Sequence, residues 1–411
     1  MANTVNNIKD GAGLFAKGMA QTLKDNMGLC SFVEKADESE YEGKNGYKAG
    51  DTIYTSIPTR KIVQEDNLDI TSYNADTKEE KAPLVLNKTA TTADSFDSLE
   101  LATDVDVKMA LKRFGVPAAE SLAQQIEARC MGIVADATYN ITGTAGSTSF
   151  AVADVLAART KLNQNLCPLK DRMLFLNSES GASAVDARKG LFQSSTAIAE
   201  QYNEGYIGRS DGFDWMETEL LPTHTNGSQG GTPLMDGATS EGASTVHIDG
   251  VTSGNTWTKG TKFTIAGVYM VHPVTKAITD RLQQFVVTED VTFTGGEADV
   301  PVSPAIYASA TSSLRNVDAL PADNAAITLL TGAASTGYIH NLALHKSAFK
   351  MVTVPLYTPK GEELVASETV DGITVNIVRF FDGNTRVVKT RYDVLYAFDA
   401  VRPEWSNVIT A

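Results

Sequence analysis

The first apolar pattern along the chain lies near its N-terminus and has the period of a helix. Apolar side chains recur at spacings of one and then four residues, at Leu14, Phe15, Met19, Leu23 and Met27. This spacing places them on one face of an amphipathic helix. Asp10 is a suitable N-cap for that helix and Gly28 a suitable stop. Because one apolar stripe must be covered, we expect the helix to dock on its own domain or on a neighbouring subunit.

Two strands follow, and a long polar connection separates them. Residues 50–58 place Ile53 and Ile57 between polar positions, which is the alternation of a half-buried strand, and residues 83–88 form a second strand. The connection is too long for a hairpin turn, and long polar connections are usually functional or mobile. The pattern predicts a two-stranded arm that projects from the body. Its charged residues include Arg60, Lys61, Glu65, Asp66, Asp69, Glu79, Glu80 and Lys81.

The clearest helical pattern covers residues 117–137, where Pro117 suits the first helical position. One face carries Leu122, Ile126, Cys130, Ile133 and Ala137. The polar face carries Glu120, Gln124, Gln125, Glu127 and Arg129. Helical spacing also precedes Pro117, so one long helix with a kink and two abutting helices are both open.

The rest of the chain alternates between mixed and all-β patterns. Residues 138–222 predict helices at 151–162 and 180–189, and strands at 173–177 and 212–221. Residues 223–333 are rich in Thr, Gly, Ser and Val and predict a small β-barrel or sandwich. Its strands are expected at 245–248, 263–271, 284–287 and 291–293, with turns at 249–250, 253–255 and 295–296. The mixed pattern then returns, with strands at 338–345, 373–381, 386–390 and 392–398 and a short helix at 347–351. We therefore expect an all-β module inserted in an α+β domain.

Charge and cysteine usage exclude several classes of protein. The net charge of −15, without a clustered basic surface, argues against sequence-specific nucleic-acid binding. Three widely spaced cysteines, Cys30, Cys130 and Cys167, favour buried free thiols over a disulfide framework or a zinc site. No apolar run approaches the roughly 20 residues of a membrane span. The N-terminus lacks the features of a signal peptide, so synthesis in the cytosol is expected.

Catalytic motifs are missing from the sequence. It contains no Gly-x-Ser-x-Gly, His-Glu-x-x-His or phosphate-loop pattern. His340 and His345 lie five residues apart on a predicted strand, so their side chains should point to opposite faces. The acidic residues Asp66, Asp69, Asp76, Glu79 and Glu80 lack the spacing of a calcium loop and favour a solvated surface. We expect no catalytic, cofactor or metal site, although an enzyme with an unrecognised site remains an alternative.

Three short segments resemble the major capsid proteins of tailed phages with the Hong Kong 97 fold. They are Gly50–Tyr54 with Ile57–Pro58, Asn341–Phe349, and Tyr392–Tyr396 with Arg402–Glu404. A narrower resemblance is to the coat proteins of P22-type short-tailed phages, which carry an inserted β-barrel domain. Gly212–Asp214, Gly260–Val268 and the Arg402–Glu404 ending carry this second resemblance, and residues 226–244 depart from it with extra Gly and Ser.

The resemblance implies a domain plan for the whole chain. It assigns residues 1–40 to an N-terminal arm, 41–95 to an extended loop, 96–144 to a peripheral domain with a spine helix, 145–222 to the first part of an axial domain, 223–333 to the inserted β domain and 334–411 to the return of the axial and peripheral domains.

The same resemblance implies self-assembly into the hexamers and pentamers of an icosahedral head. The expected partners are a scaffolding protein, a portal protein and packaged double-stranded DNA that is bound without sequence specificity, with no membrane contact. Assembly in the host cytoplasm would place the protein in the virion. Contacts between subunits are then expected through the loop and the arm, at Arg60, Lys61, Glu65, Asp66, Glu79, Glu80, Phe15 and Met19. The alternative is a β-rich binding or adhesin module of a phage tail or surface structure.

Overall fold

The chain folds into two units, each assembled from separate segments, in a computed structural model. The first unit joins Met1–Ser56, Lys81–Cys130 and Phe349–Val401, and the second joins Ile57–Glu80, Met131–Ala348 and Arg402–Ala411. The structure describes residues 6–35, 50–57, 80–97, 111–147, 150–188, 208–310, 312–356, 364–382 and 387–410.

Among its described residues, the N-terminal third holds three α-helices and four strands. They are α1 (Asn6–Asp25), α2 (Leu29–Phe32), β1 (Glu34–Lys35), β2 (Thr52–Ile57), β3 (Glu80–Val85), β4 (Lys88–Asp97) and α3 (Val116–Ala137). The predicted cap at Asp10 is wrong, because α1 begins four residues earlier and contains Asp10. The predicted strand at 83–88 is also displaced, since β3 ends at Val85 and β4 begins at Lys88.

The long helix α3 follows directly on a π-helical turn at Leu111–Gly115, so the break before Pro117 is a local change of helical pitch. Its buried stripe follows Leu122, Ile126, Cys130 and Val134, and a second buried row runs beside it. Ile133 and Ala137 are only half-buried. Glu127, expected on the polar face, is 3% exposed, because the helix is covered on more than one side.

The segment up to the inserted module alternates helix and strand as predicted. It contains β5 (Ile141–Gly143), α4 (Val152–Gln164), β6 (Arg172–Leu176), α5 (Ser178–Arg188), β7 (Arg209–Ser210), β8 (Phe213–Glu217) and β9 (Thr223–Thr225). One apolar face of α4, formed by Val155, Ala158 and Leu162, packs in a core with Leu174 and Leu176 of β6. The alternation of helix and strand in this segment is therefore confirmed.

The inserted module is all-β, as predicted, within the residues described. Its strands are β10 (Gly231–Met235), β11 (Ala243–Val251), β12 (Thr256–Trp257), β13 (Lys262–Val271), β14 (Ile278–Val287), β15 (Val291–Thr292), β16 (Ala298–Ile306) and β17 (Ile327–Leu329). Six of them form one antiparallel sheet in the order β10-β11-β16-β14-β13-β17, and β12 pairs with β15. A bridge between Leu234 and Ala326 joins the two edges, so the sheet nearly closes into a barrel.

The predicted turn at Asp249–Gly250 is wrong, because both residues lie inside β11. The pairing of β10 with β11 shifts register here, which marks a bulge. Gly250 has a φ of +72°, and a Cβ atom would lie 2.4 Å from the carbonyl oxygen of Thr232. The glycine therefore serves a bulged strand and not a turn.

The C-terminal part supplies most of the remaining strands. They are β18 (Gly337–His345), β19 (Phe349–Val354), β20 (Leu364–Val370), β21 (Ile373–Asp382), β22 (Val387–Ala400) and β23 (Ser406–Thr410). The predicted helix at 347–351 is wrong, since only a 3₁₀ turn at Lys346–Ala348 precedes β19. The two predicted strands at 386–390 and 392–398 are one continuous strand, β22.

Outside the inserted module, which belongs to the second unit, each unit has one large sheet. In the first unit the order is β1-β19-β22-β21-β20, and β4 pairs with β22 along residues 88–97. In the second unit the order is β5-β23-β18-β6-β8-β7, and β9 pairs with the start of β18. The combination of helices with antiparallel and mixed sheets confirms the expected α+β class. Within the described residues, no helix combines the length and hydropathy that a membrane span requires.

Candidate functional site

The N-terminal helix α1 docks on the sheet of its own unit. Met19 and Leu23 are fully buried there, and the Phe15 ring stacks on Tyr392 of β22, with 6.3 Å between ring centroids. The Lys24 ammonium pairs with the Asp371 carboxylate between β20 and β21. Phe15 and Met19 thus contact their own chain, and a contact of either with a neighbouring subunit stays a prediction. Of the five apolar positions expected on one face of this helix, Leu14 is the exposed one, at 58%.

The strands β2 and β3, which flank the predicted extended loop, form a two-stranded sheet. Ile53, Leu84 and Leu86 are buried and join a core with Val352 of β19 and Leu395 of β22. This sheet is therefore fixed to the first unit by apolar packing. Glu80 is the first residue of β3. The other charged residues predicted for subunit contacts lie outside the described residues, namely Arg60, Lys61, Glu65, Asp66 and Glu79.

A buried carboxylate ties α3 to the N-terminal arm. Glu127 accepts hydrogen bonds from the backbone N–H groups of Gly28, Leu29 and Cys30, at 3.0, 2.5 and 3.3 Å. These are donors at the start of α2, which has no helical partner for them. Burial raises the pKa of the Glu127 carboxyl, whereas the three N–H groups act in the opposite direction. The Glu127 carboxylate therefore stabilises the turn between α1 and α2.

The three cysteines are free and buried, as predicted. Cys30 lies beside Cys130, and its contact with that thiol together with burial raises its pKa. Burial raises the pKa of Cys167 to about 11. Thiols in such surroundings stay protonated and unreactive at neutral pH.

Two buried histidines meet where the inserted module joins the rest of the second unit. His224 on β9 and His340 on β18 stack with 5.1 Å between ring centroids and an interplanar angle of 11°. They share a face because β9 pairs antiparallel with β18, His224 opposite Tyr338. Both nitrogens of His340 and Nε2 of His224 are buried without a hydrogen-bond partner among the described residues. A positive charge on the His340 ring would therefore have no hydrogen-bond acceptor among the described residues.

A buried lysine completes this group, and we call His224, His340, Lys262 and Asp136 the junction cluster. The Lys262 ammonium donates to the carbonyl oxygens of Ala135 and Gly260, at 3.0 and 2.9 Å. Burial lowers the pKa of Lys262 to about 7. Burial and the nearby positive charge of Lys262 lower the pKa of His224 to about 4. Burial and Lys262 also lower the pKa of His340, and burial raises that of Asp136. The junction cluster thus favours neutral imidazoles.

Two amide side chains fasten the same junction. Asn226 donates to the carbonyl oxygens of Thr331 and Ala333, at 2.8 and 2.9 Å, so it closes the two ends of the inserted module. Gln284 of β14 accepts from the Ile141 N–H and donates to the Ile141 carbonyl, at 3.0 and 3.1 Å. It therefore substitutes for a strand neighbour of β5. The junction is a structural site, because Asn226, Gln284 and Lys262 hold its segments together through hydrogen bonds to backbone groups.

Sequence reasoning missed the junction cluster and treated each histidine separately. A usable signal existed, because an inserted module leaves and re-enters its host at neighbouring strands. His224 lies at the start of the predicted module 223–333 and His340 shortly after its end, so their proximity follows from the insertion itself.

A family model described as P22 coat protein, gene protein 5, matches residues 21–408. The chain belongs to the P22 coat protein family. The match runs from the last residues of α1 into β23 and includes the whole inserted module, and it confirms the resemblance seen in the sequence. The protein is therefore a major capsid protein, a subunit of a phage shell that resides in the virion. Nothing supports the alternative of a tail adhesin.

Comparison with solved structures finds phage capsids at low identity. Mycobacterium phage Che8 matches with 12% identity and a TM-score of 0.47, over 93% of this chain and 90% of that chain. The mature capsid of bacteriophage PhiM1 matches with 9% identity and a TM-score of 0.45, over 93% and 86%. The CUS-3 coat protein I-domain is 31% identical over 27% of this chain and 100% of that chain, with a TM-score of 0.18. A search of curated proteins gives no match.

Proposed function

We propose that this coat protein builds its shell from hexamers and pentamers, with the Hong Kong 97 arrangement of arm, loop, peripheral and axial domains, and that the shell encloses double-stranded DNA. The family match over residues 21–408 carries the proposal. It extends through nearly the whole chain, so it includes the extended loop, whereas Phe15 and Met19 of the arm lie just before its start.

The extended loop is the proposed contact with a neighbouring subunit. Its base is anchored by Ile53, Leu84 and Leu86, so the loop between β2 and β3 starts from a fixed position. Arg60, Lys61, Glu65, Asp66, Glu79 and Glu80 supply both signs of charge. An exposed ion pair is worth under about 1 kcal/mol. Repetition around a shell makes such weak pairs significant together, because every subunit contributes the same contacts.

The proposed partners are a scaffolding protein, a portal protein and packaged DNA. A chain with a net charge of −15 repels a polyanion, so the DNA would be enclosed without sequence-specific contacts. Assembly would take place in the host cytoplasm, and the protein would act as a structural subunit without catalysis or a cofactor.

Assembly with a scaffolding protein tests this proposal directly. The full chain is co-produced with the scaffolding protein of a P22-type phage, and the particles are imaged by electron microscopy. We expect closed shells with hexameric and pentameric capsomers. A folded chain that stays monomeric across protein and salt concentrations, or forms only open sheets, would contradict it.

Charge reversal tests the loop separately. The double variant Arg60→Glu with Lys61→Glu should lower the yield of shells and leave the folded monomer intact. The matched control reverses two exposed basic residues elsewhere, Arg159→Glu with Lys170→Glu. Equal shell yields for the two double variants would show that the loop is not the contact. Because exposed charges are screened by salt, the loss should shrink at high ionic strength.

A further inference from the structure

A histidine on the surface of the inserted module is surrounded by carboxylates from three neighbouring chain segments. His247 lies on β11, directly opposite Asp299 on β16. Asp236 follows the last residue of β10, and its N–H donates to the His247 carbonyl at 3.0 Å. Glu297 precedes β16. These side chains share one exposed face of the barrel, because the strand register puts them beside each other.

The hydrogen bond to Asp299 fixes which ring nitrogen of His247 faces the other carboxylates. Nδ1 lies 2.8 Å from Asp299 Oδ1, and a carboxylate only accepts, so Nδ1 carries the proton in the neutral ring. Nε2 then carries the lone pair, and it lies 3.4 Å from Asp236 Oδ2 and 4.0 Å from Glu297 Oε2. A carboxylate that holds one imidazole nitrogen while the other faces ligands is a recurrent feature of metal sites.

The charge balance around this group calls for a cation. Asp249 lies two residues from His247 on the same face, and its Oδ1 atom is buried with no hydrogen-bond partner among the described residues. Three carboxylates, those of Asp236, Glu297 and Asp299, thus lie 2.8–4.0 Å from one imidazole. Within the described part of the chain, His247 is the only base at ion-pair distance from Asp236, Glu297 and Asp299. Like charges on adjacent strands repel, so a divalent cation would relieve this repulsion.

We propose that His247, Asp236 and Glu297 bind a divalent first-row transition-metal ion such as Zn²⁺, with Asp299 as the positioning residue for the imidazole. The three ligand atoms lie within 4.8 Å of one another. Tetrahedral Zn²⁺ with bonds of about 2.0–2.2 Å needs ligand atoms about 3.3 Å apart. His247 Nε2 and Asp236 Oδ2, 3.4 Å apart, already lie at about this separation. The Glu297 side chain is 64% exposed, so it can rotate to bring its carboxylate oxygen closer than 4.0 Å. Water would complete the coordination.

Calorimetric titration of the full-length monomer with ZnCl₂ at pH 7.5 tests the site. We expect one ion per chain, and affinity at least 10-fold weaker in Glu297→Gln and in His247→Ala. Asp299→Asn should weaken affinity by about 10–100-fold, as positioning carboxylates do. The matched control is His272→Ala, another histidine of the inserted module whose ring bonds only to local backbone, and it should bind as the unaltered chain does.

Two results would overturn the proposal. One is the absence of Zn²⁺ binding by the unaltered chain at millimolar concentration. The other is binding that persists unchanged in His247→Ala, which would indicate adventitious binding elsewhere or a purely acidic surface. If His247→Ala does not fold, Glu297→Gln still tests the site. Glu297 is exposed, so this substitution should not disturb the fold, and circular dichroism of the variant can verify that. A Zn²⁺-dependent rise of the melting temperature, lost in Glu297→Gln, would support the site independently.

Discussion

At the scale of single residues, the buried carboxylate of Glu127 shows how a charge that costs desolvation can still stabilise a fold. Three backbone donors converge on it from the turn into α2. The sequence places Glu127 on the polar face of α3, since a lone glutamate in a helix is usually exposed. Only the position of the arm, far away in sequence, explains its burial.

Replacement of Glu127 by alanine should lower the free energy of unfolding by about 2–4 kcal/mol. The variant leaves N–H groups buried without an acceptor, and each such group costs about 1–3 kcal/mol. Urea unfolding of the monomer measures the change. Glu120→Ala on the exposed face of the same helix is the control and should stay within about 0.5 kcal/mol of the unaltered chain. Equal effects for both would show that the carboxylate does not hold the arm.

The junction cluster predicts a loss of stability in acid. The pKa of His224 is about 4 in the folded state, against an ordinary value near 6.5. Between these values the unfolded state binds more protons, so the free energy of unfolding rises with pH from about 4 to about 6.5. A difference of this size corresponds to at most about 3 kcal/mol. Lys262 titrates above this window, near pH 7 when folded, so its effect is separable.

Urea unfolding of His224→Gln across pH 4 to 7 tests this linkage. The variant should have a flatter pH dependence than the unaltered chain, because a glutamine cannot take up the proton. His272→Gln, a histidine outside the cluster, should keep the slope. If His224→Gln retains the full slope, the acid sensitivity has another source.

At the scale of elements, the sequence predicts the strongly periodic segments and misses those without alternation. The helices α1, α3 and α4 and the strand β2 carry apolar positions at a clear spacing, and all are found. All six residues of β19, Phe349–Val354, are buried. Its polar residues therefore do not alternate with apolar ones as on a half-exposed strand, and the sequence wrongly predicts a helix for its first half. Gly250 reads as a turn because a bulge and a turn both need positive φ, and only the partner strand distinguishes them.

The docking of α1 makes an element-scale prediction. Leu23→Ala should lower the free energy of unfolding of the monomer by about 2–5 kcal/mol, the usual cost of removing a fully buried leucine. Leu14→Ala on the exposed face of the same helix should change it by under about 0.5 kcal/mol. Chemical denaturation at a concentration that excludes assembly measures both. If Leu23→Ala leaves the monomer unchanged and only impairs shell formation, the arm docks on a neighbour instead.

At the scale of the whole molecule, the hydrophobic periodicity of a segment predicts a strand but not which distant strand pairs with it. Strand β22 pairs with β4, β19 and β21, and β4 lies about three hundred residues away in sequence. Local patterns give such strands but not their partners. The same holds for the candidate site, where His224 and His340 are brought together only because the inserted module closes on itself. The family resemblance supplied the long-range plan that the pattern of the residues could not.

The inserted module should fold without the rest of the chain. Its core of apolar side chains runs from Met235 to Ile327 and is formed within the module itself, unlike the cores that join distant segments. The isolated segment 223–333 should therefore show β-type circular dichroism and a cooperative thermal transition. Trp257, packed on Phe263 and Phe293, is central to that core, so Trp257→Ala should abolish or strongly lower the transition. Tyr269→Ala, which is partly exposed on the same barrel, should retain it. A disordered segment 223–333 would mean that the junction contacts of Lys262 and Gln284, and not the barrel core, hold the module together.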